Sequence, residues 1–259
     1  MNASTTKSRV LILGGTVDAN RLARALANAA EIDAVLSYAG RTDNPTPPPI
    51  PWRVGGFGGV DGLVDYLRSE AIDRVVDATH PFAAQMSVHA VAACERAAVP
   101  LLALERAPWQ RQSGDHWIEV DDLGAAAVAL GNAPRRVFLG IGRMHLNIFA
   151  AYPQHAYLVR LVDPPRQPLP LPKAQVIVAR GPFDRAADRA MLTAFRADIV
   201  VAKNAGGDAA SAKIEAARDL ALPVLMVRRP LVPARACVES VAEVMRWLGH
   251  EDTPTDRGV

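Results

Sequence analysis

From Arg9 onward the chain alternates short aliphatic and β-branched runs with longer alanine-rich segments of helical period. Arg9–Leu13 (RVLIL) reads as a buried strand, and Val17–Ala29 as a helix with apolar positions at Leu22, Ala25 and Leu26. Ile32–Ser37 is the next strand, followed by a short one at Trp52–Val54, a helix near 60–68, a strand at Arg74–Asp77, a helix near 83–97 and a strand at Pro100–Leu104. Near-continuous apolar strands separated by helices predict a parallel sheet covered on both faces. Pro108–Asp115 (PWQRQSGD) is polar and aperiodic and marks the expected domain boundary. Beyond it come strands at Trp117–Val120, Arg136–Leu139, Gln175–Ala179, Ile199–Ala202 and Val224–Val227. Helices are expected at Leu123–Leu130, Phe183–Phe195, Ala209–Leu220 and Ala236–Leu248. Asp163–Lys173 carries five prolines and reads as a stiff loop. The expected fold class is α/β: two Rossmann-like parallel-sheet domains, 9–113 and 114–251, with a cleft between them for a small molecule.

Composition narrows the function classes. Half of the 259 residues are hydrophobic, which a disordered chain would not show. Lys plus Arg number 29 against 27 Asp plus Glu, with no basic block, so no nucleic-acid partner is expected. The N-terminal residues are too polar before Arg9 for a signal peptide, and no run approaches the roughly 18 apolar residues of a membrane span. The expectation is a cytoplasmic protein with no membrane partner. Cys94 and Cys237 are isolated, and no His or Cys spacing suggests zinc, so no metal is expected.

Candidate chemistry gathers at strand ends. Gly14-Gly15-Thr16 stands where the first strand hands over to a helix, and its glycines allow a tight turn and close backbone approach. Thr16 suits a helix N-cap, and the first-turn N–H groups suit a phosphate. The spacing departs from the dinucleotide fingerprint, since Thr16 and Ala19 stand where glycines are usual; a plain βα turn is the other reading. At the second strand's end, Ser37, Arg41 and Thr42 are unaccompanied by a preceding acid, which favours a 2′-phosphate and therefore NADPH over NADH. Pairing of Arg41 with Asp43 is the alternative. Asp77-Ala78-Thr79-His80-Pro81-Phe82 ends the fourth strand; Thr79 is a candidate cofactor contact, and His80, stiffened by Pro81, a candidate catalytic contact or a structural turn residue. Asp77 either caps that turn or orients His80. Val54-Gly55-Gly56-Phe57-Gly58-Gly59 lacks the Lys-Ser/Thr of a P-loop and reads as a flexible crossover near the cofactor or the cleft.

The second half repeats the pattern. Arg143 follows Gly140-Ile141-Gly142, and Lys203-Asn204-Ala205-Gly206 ends a later strand. Arg143, Lys203, Asn204, Gly206 and Arg228 are the candidate substrate contacts, with Lys203 also a catalytic candidate; converging cations would suit a polyanion. Asn204 is alternatively a loop-ordering residue, and Lys213, farther along, a solvated helix residue. Gly181 makes a turn and Pro182 is expected to open the following helix. No tyrosine precedes a lysine by four places, which argues against a short-chain dehydrogenase.

In this order these pieces closely resemble the precorrin-6A reductase family of cobalamin biosynthesis. The resemblance rests on Ile12–Thr16, Ala39–Thr42, Asp77–Ala83, Leu104–Trp109, Gly142-Arg143, Gly181–Phe183, Lys203–Gly207, Leu222–Val224 and Arg229-Pro230. It implies hydride transfer from NADPH to the C18=C19 bond of precorrin-6A, with hydride to C19 and a proton to C18. The partner is then an anionic tetrapyrrole, with transient contacts to neighbouring pathway enzymes. Trp52, Phe57, Phe82 and Trp109 are the aromatic candidates for stacking against it. Asp18, Ala19 and Ala205 depart from the residues frequent in the family, and Ala205 puts a serine role in doubt. A cobalt-containing substrate and a non-catalytic nucleotide-binding regulator are the alternatives.

Overall fold

The computed structural model describes residues 7–40 and 47–249. Two compact units make up the chain: one runs to Arg106 and resumes at Val232, and the other is Ala107–Leu231. In the first unit the elements are β1 (Ser8–Leu13), α1 (Val17–Leu26), β2 (Ile32–Tyr38), β3 (Trp52–Val54), α2 (Gly59–Ser69), β4 (Arg74–Asp77), α3 (Ala84–Ala97) and β5 (Leu101–Leu104). The second contains β6 (His116–Val120), α4 (Leu123–Ala129), β7 (Arg136–Gly140), β8 (Ala156–Leu161), β9 (Ala174–Val178), α5 (Arg185–Phe195), β10 (Ile199–Lys203), α6 (Ala212–Asp219) and β11 (Pro223–Val227). The chain then returns to the first unit as β12 (Ala236–Val238) and α7 (Val241–Gly249).

The first sheet has the order β12-β5-β4-β1-β2-β3 and every pairing in it is parallel. Counted within the unit this is 3-2-1-4-5-6 read from the β3 edge, the order of a doubly wound dinucleotide-binding sheet. Alternate residues of β1 serve opposite layers, as the two-residue strand period requires. Val10 and Ile12 join Leu36, Val76 and the α1 and α7 residues Leu22, Leu26, Val244 and Leu248. Leu11 and Leu13 face the other way, onto Leu63, Val64, Leu67, Ala90 and Cys94 of α2 and α3. Each such buried aliphatic side chain contributes about 1.5–3 kcal/mol, so both layers are needed to hold the central strands. Helix α1 buries Ala19, Leu22, Ala23 and Leu26, the i, i+3, i+4, i+7 stripe.

The second sheet, β6-β11-β10-β7-β8-β9, is also parallel throughout. Phe138, Leu158, Val200, Val224 and Met226 pack against Leu192, Phe195, Ile214 and Ala217 of α5 and α6. The two units agree with the expectation of α/β architecture with two parallel sheets. The expected division at residue 113 is corrected at both ends. Trp109 hydrogen-bonds to Asn204 and Gly207, and the buried Asp115 pairs with Arg218 at 2.8 Å, so the polar stretch 108–115 is packed into the second unit. Residues 236–238 form a strand of the first sheet rather than the start of a helix. Strand β8 was not expected. Helix α5 begins at Arg185, with Asp184 as its N-cap accepting from the Ala187 N–H, so Pro182 precedes the helix rather than opening it.

Candidate functional site

In an open parallel sheet, ligands lie beyond the carboxyl ends of the strands where the strand order reverses. That point in the first unit is between β1 and β4, because β2 and β3 lie to one side and β5 and β12 to the other. The residues reaching it are Gly14–Thr16 after β1 and Ala78–His80 after β4. One hydroxyl joins the two turns: Thr16 Oγ1 donates to the Ala78 carbonyl at 2.8 Å and accepts from the Ala19 N–H at 3.0 Å. Thr16 is thus the expected N-cap, and its side chain holds the scaffold.

The two glycines have different roles. A Cβ on Gly14 would lie 2.6 Å from Leu36 Cδ1, so Gly14 lets strand and side chain pack, and its N–H donates to the Ser37 carbonyl at 2.9 Å. Gly15 has φ +116 and nothing within 4 Å of where a Cβ would stand. It therefore combines a backbone conformation that L side chains rarely adopt with open space for a ligand approaching the first amides of α1.

Asp77, buried at 3% exposure, is a structural carboxylate. It accepts from Thr79 N and Oγ1 at 3.1 and 2.6 Å, and from Ser87 Oγ at 2.6 Å; Arg235 Nε lies 3.8 Å away. Of its two sequence readings, capping the turn is the one observed, and the Thr79 hydroxyl is engaged within that cap. His80 Nδ1 accepts from the Phe82 N–H at 3.2 Å, which leaves the ring proton on Nε2, and the His80 and Phe82 rings lie 5.8 Å apart. Ser37, at the end of β2, is buried and accepts from Arg53 Nη1 at 2.8 Å. Arg41 and Thr42 lie outside the described residues.

In the second unit the order reverses between β7 and β10, whose ends are Gly140 and Lys203. Arg143 is exposed after Gly142, which has φ +75 and open space around it, and Lys203 is half-buried at its strand end. These two cations belong to loops of neighbouring strands. Asn204 orders its loop: its Oδ1 accepts from Trp109 N at 2.7 Å and its Nδ2 donates to Trp109 O at 3.0 Å. Gly206 has φ +69, and a Cβ there would stand 2.0 Å from the Ala107 carbonyl oxygen, so it too permits loop packing. Arg228 follows β11. It is paired with Glu119 at 3.0 Å and Asp121 at 2.7 Å, which neutralise it locally.

The structure gives four residues roles that the sequence did not assign them. Arg229 donates to the Asn204 and Ala205 carbonyls at 2.9 and 3.0 Å and shapes the Lys203 loop. Lys213 is buried, not solvated. Its Nζ donates to the Ala210 carbonyl at 2.6 Å and lies 4.8 Å from the Trp109 ring, while its stem crosses Gly140, whose Cβ would meet Cδ at 2.9 Å. Burial, and secondarily Arg160, push the Lys213 pKa down to about 7 against the opposing pull of Asp188. Arg160 itself pairs with the buried Asp188 at 2.5 Å. Arg53 is the fourth, and only its place just before the Val54–Gly59 glycine run could have drawn attention to it. Of the aromatic candidates, Trp52 remains partly exposed against Tyr38, Phe57 packs on Tyr66 and Arg53, and Trp109 is held within its loop network. Among the described residues no His/Cys/Asp/Glu group has the makings of a metal site, and no helix is long and apolar enough to cross a membrane.

Comparison with known proteins places this geometry in a family. The family described as precorrin-6x reductase CbiJ/CobK matches residues 9–249. The chain is similar to the precorrin-6A reductase of Rhodobacter capsulatus, with 56% identity over 253 residues that cover 97% of this chain and 100% of that protein. It is 47% identical over 246 residues to the precorrin-6A reductase of a Sinorhizobium species, covering 93% of this chain and 94% of the relative. A solved structure described as CobK precorrin-6A reductase is similar at 57% identity with a TM-score of 0.89, over 93% of this chain and 96% of that one.

Proposed function

The chain belongs to the precorrin-6x reductase (CbiJ/CobK) family, and from that premise we propose that it reduces the C18=C19 bond of precorrin-6A with NADPH, giving precorrin-6B. The observation that carries the reading is the first unit's strand-order reversal, with an open glycine turn at β1 and no acid at the end of β2 among the described residues. Those features fit a phosphorylated dinucleotide: Gly14, Gly15 and the first amides of α1 would hold the diphosphate, and Ser37, with Arg41 and Thr42, the 2′-phosphate. NADPH, when bound, supplies the hydride. The chain's own residues bind and orient. His80 presents Nε2–H beside the turn of β4, and we assign it to positioning the nicotinamide or the acceptor. Its role need not be that of an obligatory acid, because a conjugated, iminium-like acceptor is already activated and water can protonate C18.

In the second unit, Arg143 and Lys203 are assigned to macrocycle carboxylates. Asn204 and Gly206 support that loop from beneath, and Arg228 falls outside the set because its charge is neutralised. A nucleotide-binding regulator would need no such cationic loops. The reaction consumes one NADPH and one proton, and we place it in the cytoplasm.

Single-turnover absorbance of NADPH oxidation with precorrin-6A, with the cobalt-containing analogue in parallel, tests the reading. Oxidation with the cobalt-free macrocycle is expected; none with either substrate overturns the proposal. Lys203→Ala should weaken the macrocycle by roughly 10- to 100-fold, the equivalent of one charged hydrogen bond, and leave NADPH affinity unchanged. His80→Ala should slow the single turnover more than it weakens either ligand.

A further inference from the structure

Arg53 stands at the middle of β3, opposite Ser37 of β2 in the sheet register. Its guanidinium donates to Ser37 Oγ at 2.8 Å and to the Gly55 and Gly56 carbonyls at 3.2 and 3.1 Å. It lies 4.2 Å from the Phe57 ring centre and 5.1 Å from that of Tyr66. All of these partners are neutral. By contrast, Arg9 pairs with Glu70, Arg96 with Asp61, Arg106 with Asp18 and Arg235 with Glu105. No carboxylate among the described residues is therefore in ion-pair contact with Arg53 to offset its charge. Three hydrogen bonds of its five donors, together with two ring contacts, fix the orientation of the group.

The location gives that charge a use. Ser37 is the penultimate residue of β2, and its carbonyl accepts from Gly14 of the glycine turn, so Arg53 is one residue away from that turn. From the end of the second strand this fold distinguishes a ribose hydroxyl from a 2′-phosphate. The glycine run beside Arg53 leaves room: no atom lies within 4 Å of the Cβ positions of Gly55, Gly56, Gly58 and Gly59. A planar fork held against aromatic rings is well matched to a phosphate dianion.

We propose that Arg53, with Ser37, grips the 2′-phosphate of the cofactor and sets the preference for NADPH over NADH. The assignment rests on the reading that the first unit binds this dinucleotide, and it gives the Val54–Gly59 glycine run its purpose as the wall of that phosphate pocket.

Calorimetric titration tests it on the full-length protein, using NADPH, NADH, adenosine 2′,5′-bisphosphate and adenosine 5′-monophosphate. The unmutated protein should favour each 2′-phosphorylated ligand over its partner. Arg53→Gln should weaken NADPH and the bisphosphate by roughly 10- to 100-fold, the range of a charge-assisted contact, and leave NADH and the monophosphate within about twofold. Arg53→Lys, which keeps the charge but lacks the fork, should fall between, and it serves as the reading if the glutamine variant fails to fold. Equal weakening of all four ligands would mean that Arg53 only shapes its loop, and overturns the assignment. So does a surviving NADPH preference in Arg53→Gln that Arg41→Ala abolishes. A wild-type protein that binds both dinucleotides equally overturns the arginine assignment and the 2′-phosphate contacts of the proposed function but leaves dinucleotide binding standing; one that binds neither overturns the cofactor reading as a whole.

Discussion

Thr16 shows how much one side chain at a strand end can hold. Its hydroxyl both caps α1 and ties the β1 turn to the β4 turn. Thr16→Val keeps the shape and removes both bonds, so a loss of about 1–2 kcal/mol in thermal or urea unfolding is expected. Lys213 makes a prediction that depends on pH. Its pKa falls from 10.5 to about 7 on folding, so between those values the unfolded chain binds more protons than the folded one, and stability rises with pH. Below pH 7 both states are protonated and the full burial penalty is present. Lys213→Met should therefore stabilise the protein most at pH 6–7, and the gap to wild type should narrow toward pH 10; a constant gap across urea titrations at these pH values would refute it. Residue types made the places of Gly15, His80 and Lys203 at or just beyond the carboxyl ends of their strands legible from sequence. The partners of Arg228 and the burial of Lys213 were not, because they depend on which acids and aromatics the fold brings up from elsewhere in the chain.

Strand β8 is an element that sequence pattern passed over for a physical reason. Its six residues Ala156–Leu161 include Arg160, a charge in what must be a buried run. The strand is possible because α5 supplies Asp188 at 2.5 Å and Phe138 and Phe183 lie against the guanidinium, at 5.3 and 3.8 Å. Both side chains are more than nine-tenths buried, so removing one strands the other. Asp188→Ala should cost roughly 3–5 kcal/mol, whereas the double change Arg160→Met, Asp188→Leu should recover most of it. Urea midpoints of the three variants decide this; a mild single mutant would mean that solvent reaches the pair. The central runs of β1, β4 and β10 (Val10–Leu13, Val75-Val76 and Ile199–Ala202) hold no charge, and local sequence was enough to place them.

At the scale of the molecule, the first unit is closed by residues from the far end of the chain. Strand β12 pairs with β5, and Glu105 N donates to the Val238 carbonyl at 2.9 Å. Arg235 pairs with Glu105 at 2.7 Å, and Arg74 of β4 donates to the Trp247 and Leu248 carbonyls at the end of α7, a favourable place for a cation. Val244 and Leu248 complete the layer over α1. A reading that proceeds along the chain assigns neighbouring segments to one domain, so this return was not legible. Deleting everything after Leu231 should therefore damage the first unit and spare the second. The truncated protein is expected to lose NADPH binding in a fluorescence titration because the β5 edge and the α1 face are left uncovered. Ala107–Leu231, whose sheet is built wholly from its own residues, should unfold cooperatively when expressed alone. A chain that joins Arg106 to Val232 through a short glycine–serine linker should regain NADPH binding without the second unit. Normal NADPH affinity in the truncated chain would show that β12 and α7 are dispensable for the cofactor-binding unit, and failure of the linked chain to fold would show that the first sheet needs more than its own six strands.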